Sequence, residues 1–312
     1  MSNTLFVIGN GFDLHHGIPS RYDDFREFLS EKEKDLLNSI KEYLPLYEDE
    51  LWCNFEAALA NLDKDSVEDY ASNVLMPYSS DEWSDSGHHD YQYEIGEIVR
   101  NLTDSLKQRF SEWIFQIDLN VYNKKLNYIN PHSHYLTFNY TQTLQSLYAV
   151  PDENILHIHG KSESPNSSLV LGHGDNPSKH ERLNRYDDAD RDIRILEGEQ
   201  TIAEYFKLSY KPTNKIISDN EDFFTNLSQV NTVIVLGHSM SDVDICYFEK
   251  IIQSIRLENV CWYVSYYTDE EYETTCQQLR KIGIDRRQVS LITLDESNQC
   301  SGISFNNQLS IF

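Results

Sequence analysis

The chain has 312 residues, of which 39% are hydrophobic and 12% aromatic, enough for the core of one large α/β domain or two smaller ones. Its 26 basic and 51 acidic residues give a formal charge of −25. A surface with this charge repels phosphate backbones and anionic lipid, which argues against broad nucleic-acid or membrane binding. Any bound phosphate must therefore be held locally, by backbone N–H groups and a few side chains.

The sequence shows little sign of a membrane span, a signal peptide or a disulfide framework. No apolar run approaches the roughly 18–20 residues that span a bilayer, and the opening MSNTLFVIGNG carries no basic region. The five cysteines are widely spaced and form no CxxC pair, which argues against a disulfide framework and a zinc ribbon. We therefore expect a cytoplasmic protein with free thiols and no membrane contact.

In chain order, the first predicted element is a buried strand at 4–9. Helical periodicity then dominates residues 21–130, which we interpret as a mainly helical insertion capping one end of the sheet. Further short β-rich runs follow at 135–138, 155–158, 169–171, 232–236, 260–266 and 289–294. This alternation predicts a single α/β domain over residues 1–312, with a mostly parallel, Rossmann-type sheet and helices on both faces.

The first motif that carries chemistry is GNGFDLHHGIPS, which directly follows the first strand. Gly9 and Gly11 permit a sharp turn and a close approach to a ligand, and a helix is expected to start near Asp13. The N–H groups around Asn10 and Phe12 would then face a pyrophosphate. The glycine spacing differs from the GxGxxG of dehydrogenases. A tight turn without any ligand is the alternative.

The second motif is LTFNYTQTL, in which Thr137 and Asn139 come at the end of a predicted strand. The carboxyl edge of a doubly wound sheet faces the ligand crevice. The Asn139 amide donates and accepts hydrogen bonds and stays neutral at any pH. Asn139 is therefore a candidate catalytic residue, with a purely turn-shaping role as the alternative.

The third motif is ILHIHGK, where His157 and His159 alternate with apolar residues and Gly160 ends the strand. This spacing places His159 at the same sheet edge as Asn139. An imidazole there suits general-base chemistry, because its ordinary pKa lies near neutral pH. A hydrogen-bonded structural histidine is the alternative.

The fourth motif is LGHSMSDVD, a second strand–turn–helix at the same edge. Gly237 forms the turn, and Ser239 and Asp242 lie where a ribose or phosphate would be held. An ordinary capped helix is the alternative.

Two other chemistries, a metal site and a serine hydrolase, have less support in the sequence. The pairs His132-x-His134 and His157-x-His159 have spacings that suit zinc or manganese, yet the sequence has no HExxH and no acidic motif tied to them. We therefore expect no metal. The string GHSMS lacks the second glycine of a serine-hydrolase elbow.

Together, and in this order, the four motifs resemble the sirtuin-like NAD-binding superfamily. Their amino-acid sequences look most like those of the abortive-infection family AbiH of bacterial antiphage defence. The resemblance implies that Asn139 and His159 are the catalytic pair. It also implies that the loops at Gly9–Asp13 and Gly237–Asp242 hold the dinucleotide together with Thr137.

Differences from the sirtuin deacylases narrow the expected activity. The two CxxC zinc pairs are absent, and Thr141 stands where an acidic residue usually follows the catalytic asparagine. The resemblance therefore implies an NAD⁺ glycohydrolase that uses water as the acceptor and depletes NAD during abortive infection. A non-hydrolytic nucleotide sensor or scaffold, a protein deacylase and a metal-dependent hydrolase stay open. We expect control by a homo-oligomer or a partner protein.

Overall fold

The computed structural model describes residues 3–44, 52–80, 85–180, 191–255 and 260–294. Its centre is a six-stranded sheet in which every pairing is parallel. The strands β1 to β6 are Thr4–Ile8, His134–Thr137, Ile155–His157, Thr232–Leu236, Cys261–Ser265 and Val289–Ile292. Their spatial order is β3-β2-β1-β4-β5-β6, which is the strand order of the Rossmann fold. The predicted α/β class is confirmed.

The helices that we number all lie between consecutive strands. Those before β2 are α1 to α7, at Asn10–His15, Tyr22–Lys32, Lys34–Tyr43, Phe55–Ala58, Lys64–Ser72, Asp90–Arg100 and Leu106–Gln116. Those after β2 are α8 to α13, at Thr143–Tyr148, Ile193–Leu208, Thr213–Asp219, Glu221–Thr225, Ile245–Ser254 and Asp269–Lys281. A π-helical turn at Asn101–Ser105 joins α6 to α7. Within the described residues no helix is both long and apolar enough to cross a membrane.

Strand β1 shows how the sheet is covered on both sides. Leu5 and Val7 point to one face, where they belong to the same buried cluster as residues of α11, α12 and α13. Phe6 and Ile8 point to the other face and share a cluster with residues of α1 and α8. The alternation of side chains along a strand therefore gives each face its own apolar core, as a parallel sheet requires.

A third apolar core belongs to the helices that follow β1. It joins α2 to α7 with α9, which packs along α6. The segment at 169–171, which we predicted as a strand, is not one. Leu169 and Leu171 are buried in this third core. The backbone between them is bound elsewhere, since the Val170 N–H donates to His159 O and the Tyr140 hydroxyl donates to Val170 O.

Candidate active site

The candidate site lies where β1, β2 and β4 end. Strand β1 pairs with β2 on one side and with β4 on the other, so the chain leaves β1 at the point where the strand order reverses. Ligands of open α/β sheets bind outside the carboxyl ends of the strands at such a point. Each of the four sequence motifs follows or runs across the carboxyl end of a strand.

The two glycine loops contact each other directly. The Gly11 N–H donates to the carbonyl oxygen of Gly237 at 2.8 Å. A Cβ atom on Gly9 would lie 2.6 Å from the same oxygen, and Gly237 has a φ of +62°. The small size of these residues is therefore needed for loop–loop packing. Helix α1 begins at Asn10, so the predicted start near Asp13 was wrong.

Two further residues of the first motif serve the structure. Asn10 is exposed, and its side chain is tied to Ser20: it accepts from the Ser20 hydroxyl at 2.6 Å and donates to the Ser20 carbonyl at 2.9 Å. Phe12 is fully buried and packs on the rings of His16 and Tyr148. These contacts anchor the turn between β1 and α2.

Asp13 and Asn139 form the first half of the site. Asp13 is fully buried and accepts a hydrogen bond of 2.5 Å from the Thr141 hydroxyl. Burial raises the pKa of Asp13 to about 6, although hydrogen bonds from Thr141 and Thr143 and the nearby Asn139 amide act to lower it. The Asn139 N–H donates to the Thr137 hydroxyl at 3.1 Å.

The Asn139 amide lies close to the Asp13 carboxyl, where it acts to lower the pKa of that group. Asn139 is 7% exposed, and within the described residues neither its buried Nδ2 atom nor the Asp13 Oδ1 atom has a partner within hydrogen-bond distance. A buried amide donor without a partner is costly, so such a group needs an explanation. A bound molecule that accepts from Nδ2 would supply one.

His159 forms the second half of the site. The two motif histidines separate: His157 is bound to Asn139 O and to the Gln145 side chain, whereas His159 lies beyond the end of β3. His159 is 3% exposed, and its Nε2 atom has no hydrogen-bond partner among the described residues. Burial lowers the pKa of His159 well below its usual value, and the Lys211 ammonium and the neighbouring His238 ring act in the same direction.

A largely buried charged cluster faces His159, and little in the sequence indicates it. Lys211 is 1% exposed and forms ion pairs with Glu56 of α4 and with Asp244, which precedes α12. Asp244 Oδ1 lies 3.7 Å from His159 Nε2. The Tyr22 hydroxyl donates to Glu56 Oε1 at 2.8 Å. The Tyr140 hydroxyl, whose proton goes to Val170 O, lies 3.4 Å from the same carboxylate oxygen. We call Glu56, Lys211 and Asp244 the ion triad.

His238 lies on the other side of the ion triad. Its Nδ1 atom accepts a hydrogen bond of 2.8 Å from the Met240 N–H, so the neutral ring carries its proton on Nε2. That Nε2 atom faces Asp244 Oδ2 at 3.7 Å. Burial, followed by the Lys211 charge, lowers the pKa of His238 to about 3. Both histidines beside the triad are therefore neutral at pH 7.

The remaining two predicted residues lie on the surface. Ser239 is exposed. Asp242 is exposed as well and pairs with Lys281 of α13, which lowers the pKa of the Asp242 carboxyl. The structure thus places the predicted residues in the two interlocked glycine loops, around Asp13 and Asn139, and at His159. Asn10, Ser239 and Asp242 are exposed and lie outside the buried part.

Some of the missed residues had a local signal. His238 and Asp244 stand inside the LGHSMSDVD motif, so the turn that supplied Gly237 also held them. Glu56 and Lys211 are far away in sequence, and only the packing of α4 and of the segment after α9 brings them together. Within the part of the chain that the structure describes, no group of three or more His, Cys, Asp or Glu side chains is arranged to hold a metal ion.

Fold and site together define a Rossmann-type α/β protein with buried polar side chains after the carboxyl ends of its central strands. Residues 5–266 match the model of the family described as bacteriophage abortive infection AbiH, and the chain belongs to that family. Family membership supports a role in abortive infection. No curated protein is significantly similar to the chain.

Proposed function

We propose that the chain is an NAD⁺ glycohydrolase of the sirtuin-like superfamily, which acts in abortive infection by depleting NAD. The observation that carries the proposal is a pair of buried polar atoms, Asn139 Nδ2 and His159 Nε2, that have no hydrogen-bond partner in the part of the chain that the structure describes. They follow the ends of the neighbouring strands β2 and β3 at the carboxyl edge of the sheet. NAD is the substrate in this proposal, and the chemistry needs no metal.

The reaction breaks the bond between nicotinamide and ribose. Nicotinamide leaves with the bonding electron pair, and the ribose carbon gains oxocarbenium character. A water oxygen then bonds to that carbon while the water proton passes to the neutral His159 ring. Although His159 is a weak base, water becomes strongly acidic as it adds to a cation, so a weak base suffices. Asn139 would orient the ribose and the water through its Nδ2 donor.

The charge of the ion triad suits this transition state. Two carboxylates, Glu56 and Asp244, surround one ammonium, that of Lys211, which leaves a formal excess of one negative charge. A fixed negative charge in a buried site stabilises a developing cation without any reorganisation. The triad stands next to His159, which would be the proton acceptor.

A nucleotide sensor that hydrolyses nothing is the second candidate, and one observation favours it. The Gly11 N–H donates its hydrogen bond to the Gly237 carbonyl, so it is not free to donate to a phosphate. A dinucleotide held by that N–H must first displace the loop after β4, which couples binding to a change of shape. The same coupling would let a homo-oligomer or a partner protein control an enzyme.

The test is nicotinamide release from NAD⁺ by the purified protein, with and without lysate of phage-infected cells as a source of trigger. His159→Ala and Asn139→Ala are each expected to lower the rate by a factor of about 10² or more. His89→Ala and Asn73→Ala are matched controls, because both residues are exposed, and they should retain the wild-type rate.

Folding of the variants is checked by thermal unfolding. ADP-ribose as the second product identifies hydrolysis, whereas an acyl-ADP-ribose product would indicate a deacylase. Binding of NAD⁺ without release of nicotinamide under either condition would favour the sensor. Equal rates of nicotinamide release in wild type and in both site variants would show that Asn139 and His159 are not catalytic residues.

A further inference from the structure

Lys211 is an unusual residue for a buried position. It lies between α9 and α10, is 1% exposed, and reaches Glu56 of α4 on one side and Asp244 on the other. Burial acts to lower the pKa of Lys211, but the two carboxylates outweigh burial and raise it, so the ammonium stays charged. A charged group at this depth is costly to bury.

Asp244 lies between the Lys211 ammonium and the ring of His159. Asp244 Oδ1 lies 3.4 Å from Lys211 Nζ and 3.7 Å from His159 Nε2. The second distance exceeds that of a hydrogen bond. One carboxylate oxygen thus has two candidate partners and stands closer to the lysine. His159 keeps its Nε2 atom without a partner among the described residues.

We propose that Lys211 is a positioning residue for the reaction: it holds Asp244 back from His159 and so keeps His159 neutral and its Nε2 atom free for the substrate. This inference rests on the proposed NAD⁺ hydrolysis for its link to turnover. The charge arrangement itself is a property of the folded chain and is measurable without turnover.

The direction of the effect follows from the groups that face His159. These are the ammonium of Lys211, the carboxylate of Asp244, the ring of His238, and the rings of Tyr140 and Tyr247. Removal of the ammonium takes away a charge that disfavours a protonated imidazole. It also frees Asp244 to move the short distance to His159 and pair with it. Both changes raise the pKa of His159.

His238 provides an internal check. The Lys211 charge also acts to lower the pKa of His238, and Asp244 lies 3.7 Å from its Nε2 atom. The same substitution must therefore raise the pKa of both histidines. A lysine with a merely structural role would change stability and leave these titrations where they are in the wild type.

The experiment is an NMR titration of the imidazole nitrogens in Lys211→Met, with Lys215→Met as the control. Lys215 is exposed and pairs with Asp219 on the surface of α10. We expect His159 and His238 to become protonated at higher pH in Lys211→Met and to be unchanged in Lys215→Met. In the nicotinamide-release assay, kcat of Lys211→Met should fall about tenfold or more near neutral pH, since general-base help is worth about 10²–10⁴. The loss should diminish as the pH is raised, with KM little changed.

Lys211→Met leaves the half-buried carboxylates of Glu56 and Asp244 without their ammonium partner, which threatens folding. The double variant Lys211→Met/Glu56→Gln removes an equal number of positive and negative charges and should cost less. It still leaves Asp244 free to reach His159, so the same rise in the pKa of His159 is expected.

Unchanged titrations of both histidines in a folded variant would overturn the proposal, whether or not the wild type hydrolyses NAD⁺. Shifted titrations in a chain that releases no nicotinamide would instead overturn the proposed function and the link to turnover, and would leave the electrostatic role of Lys211 standing.

Discussion

The N–H group of Gly11 and the carbonyl oxygen of Gly237 are joined by a hydrogen bond of 2.8 Å between the loops after β1 and β4. These loops carry the two motifs that the resemblance assigns to the dinucleotide. Their contact joins the two loops across the switch point of the sheet. Asn139 and His159 follow the ends of the adjacent strands β2 and β3.

Gly237→Ala tests how tightly the loops interlock. Gly237 has a φ of +62°, and an added Cβ would clash with the Gly11 and Phe12 backbone. Left-handed backbone and overpacking together should cost roughly 2–5 kcal/mol of unfolding free energy. Gly283→Ala is the matched control, because Gly283 has a φ of +80° and nothing within 4 Å of the added atom.

Urea unfolding of both variants separates the two effects. Gly283→Ala should lose only the conformational part, about 1–2 kcal/mol. Equal losses at the two positions would mean that the loops do not press on each other.

Gly198→Ala tests the contact between α6 and α9. A Cβ on Gly198 would clash with the Tyr91 ring and lie 2.7 Å from Ile95 Cδ1. The overlap should outweigh the gain in helix propensity and destabilise the chain by about 1–2 kcal/mol. Gly96→Ala on α6 meets nothing within 4 Å and should stabilise by about 0.5–1 kcal/mol. The same sign of change in the melting temperatures of both variants would contradict this packing.

The sheet was largely predictable because each of its strands is a short apolar run followed by a turn. The run at 169–171 has the same appearance, yet it is buried by the helical core and not by a strand ladder. A run of three apolar residues does not show which of the two environments it occupies, because apolar side chains are buried in both. The distinction depends on the partner, which here includes the distant Tyr140 side chain.

The residues of the candidate site were predictable only where a polar side chain directly follows the end of a predicted strand. Asn139 and His159 each follow the end of a strand, so the topology of a parallel sheet brings them to one edge. Lys211 and Glu56 meet through tertiary packing alone, and no spacing in the sequence indicates it. A buried lysine also looks, in sequence, like any of the exposed lysines.

Asp13→Asn tests the electrostatics of the first half of the site through the pH dependence of stability. The pKa of Asp13 is raised from 3.8 to about 6 by burial. Between these values the folded chain binds more protons than the unfolded chain. The contribution of Asp13 to stability is therefore full at low pH and is lost as the pH rises through about 6.

An asparagine has no such dependence. The difference in unfolding free energy between Asp13→Asn and wild type should therefore shift in favour of the variant by about 2 kcal/mol from about pH 4.5 to pH 7.5. Urea unfolding at several pH values measures this difference. A difference that stays constant across the range would show that the folded carboxyl titrates as the unfolded one does.

The proposal that Asn139 and His159 cleave NAD during infection is tested by the NAD⁺ content of phage-infected cells that carry wild type, His159→Ala or the exposed control His89→Ala. We predict that NAD⁺ falls and ADP-ribose rises with wild type and with the control, and that both stay level with His159→Ala. NAD⁺ that falls equally with His159→Ala, or stays level in infected cells that the wild type protects, would contradict the claim.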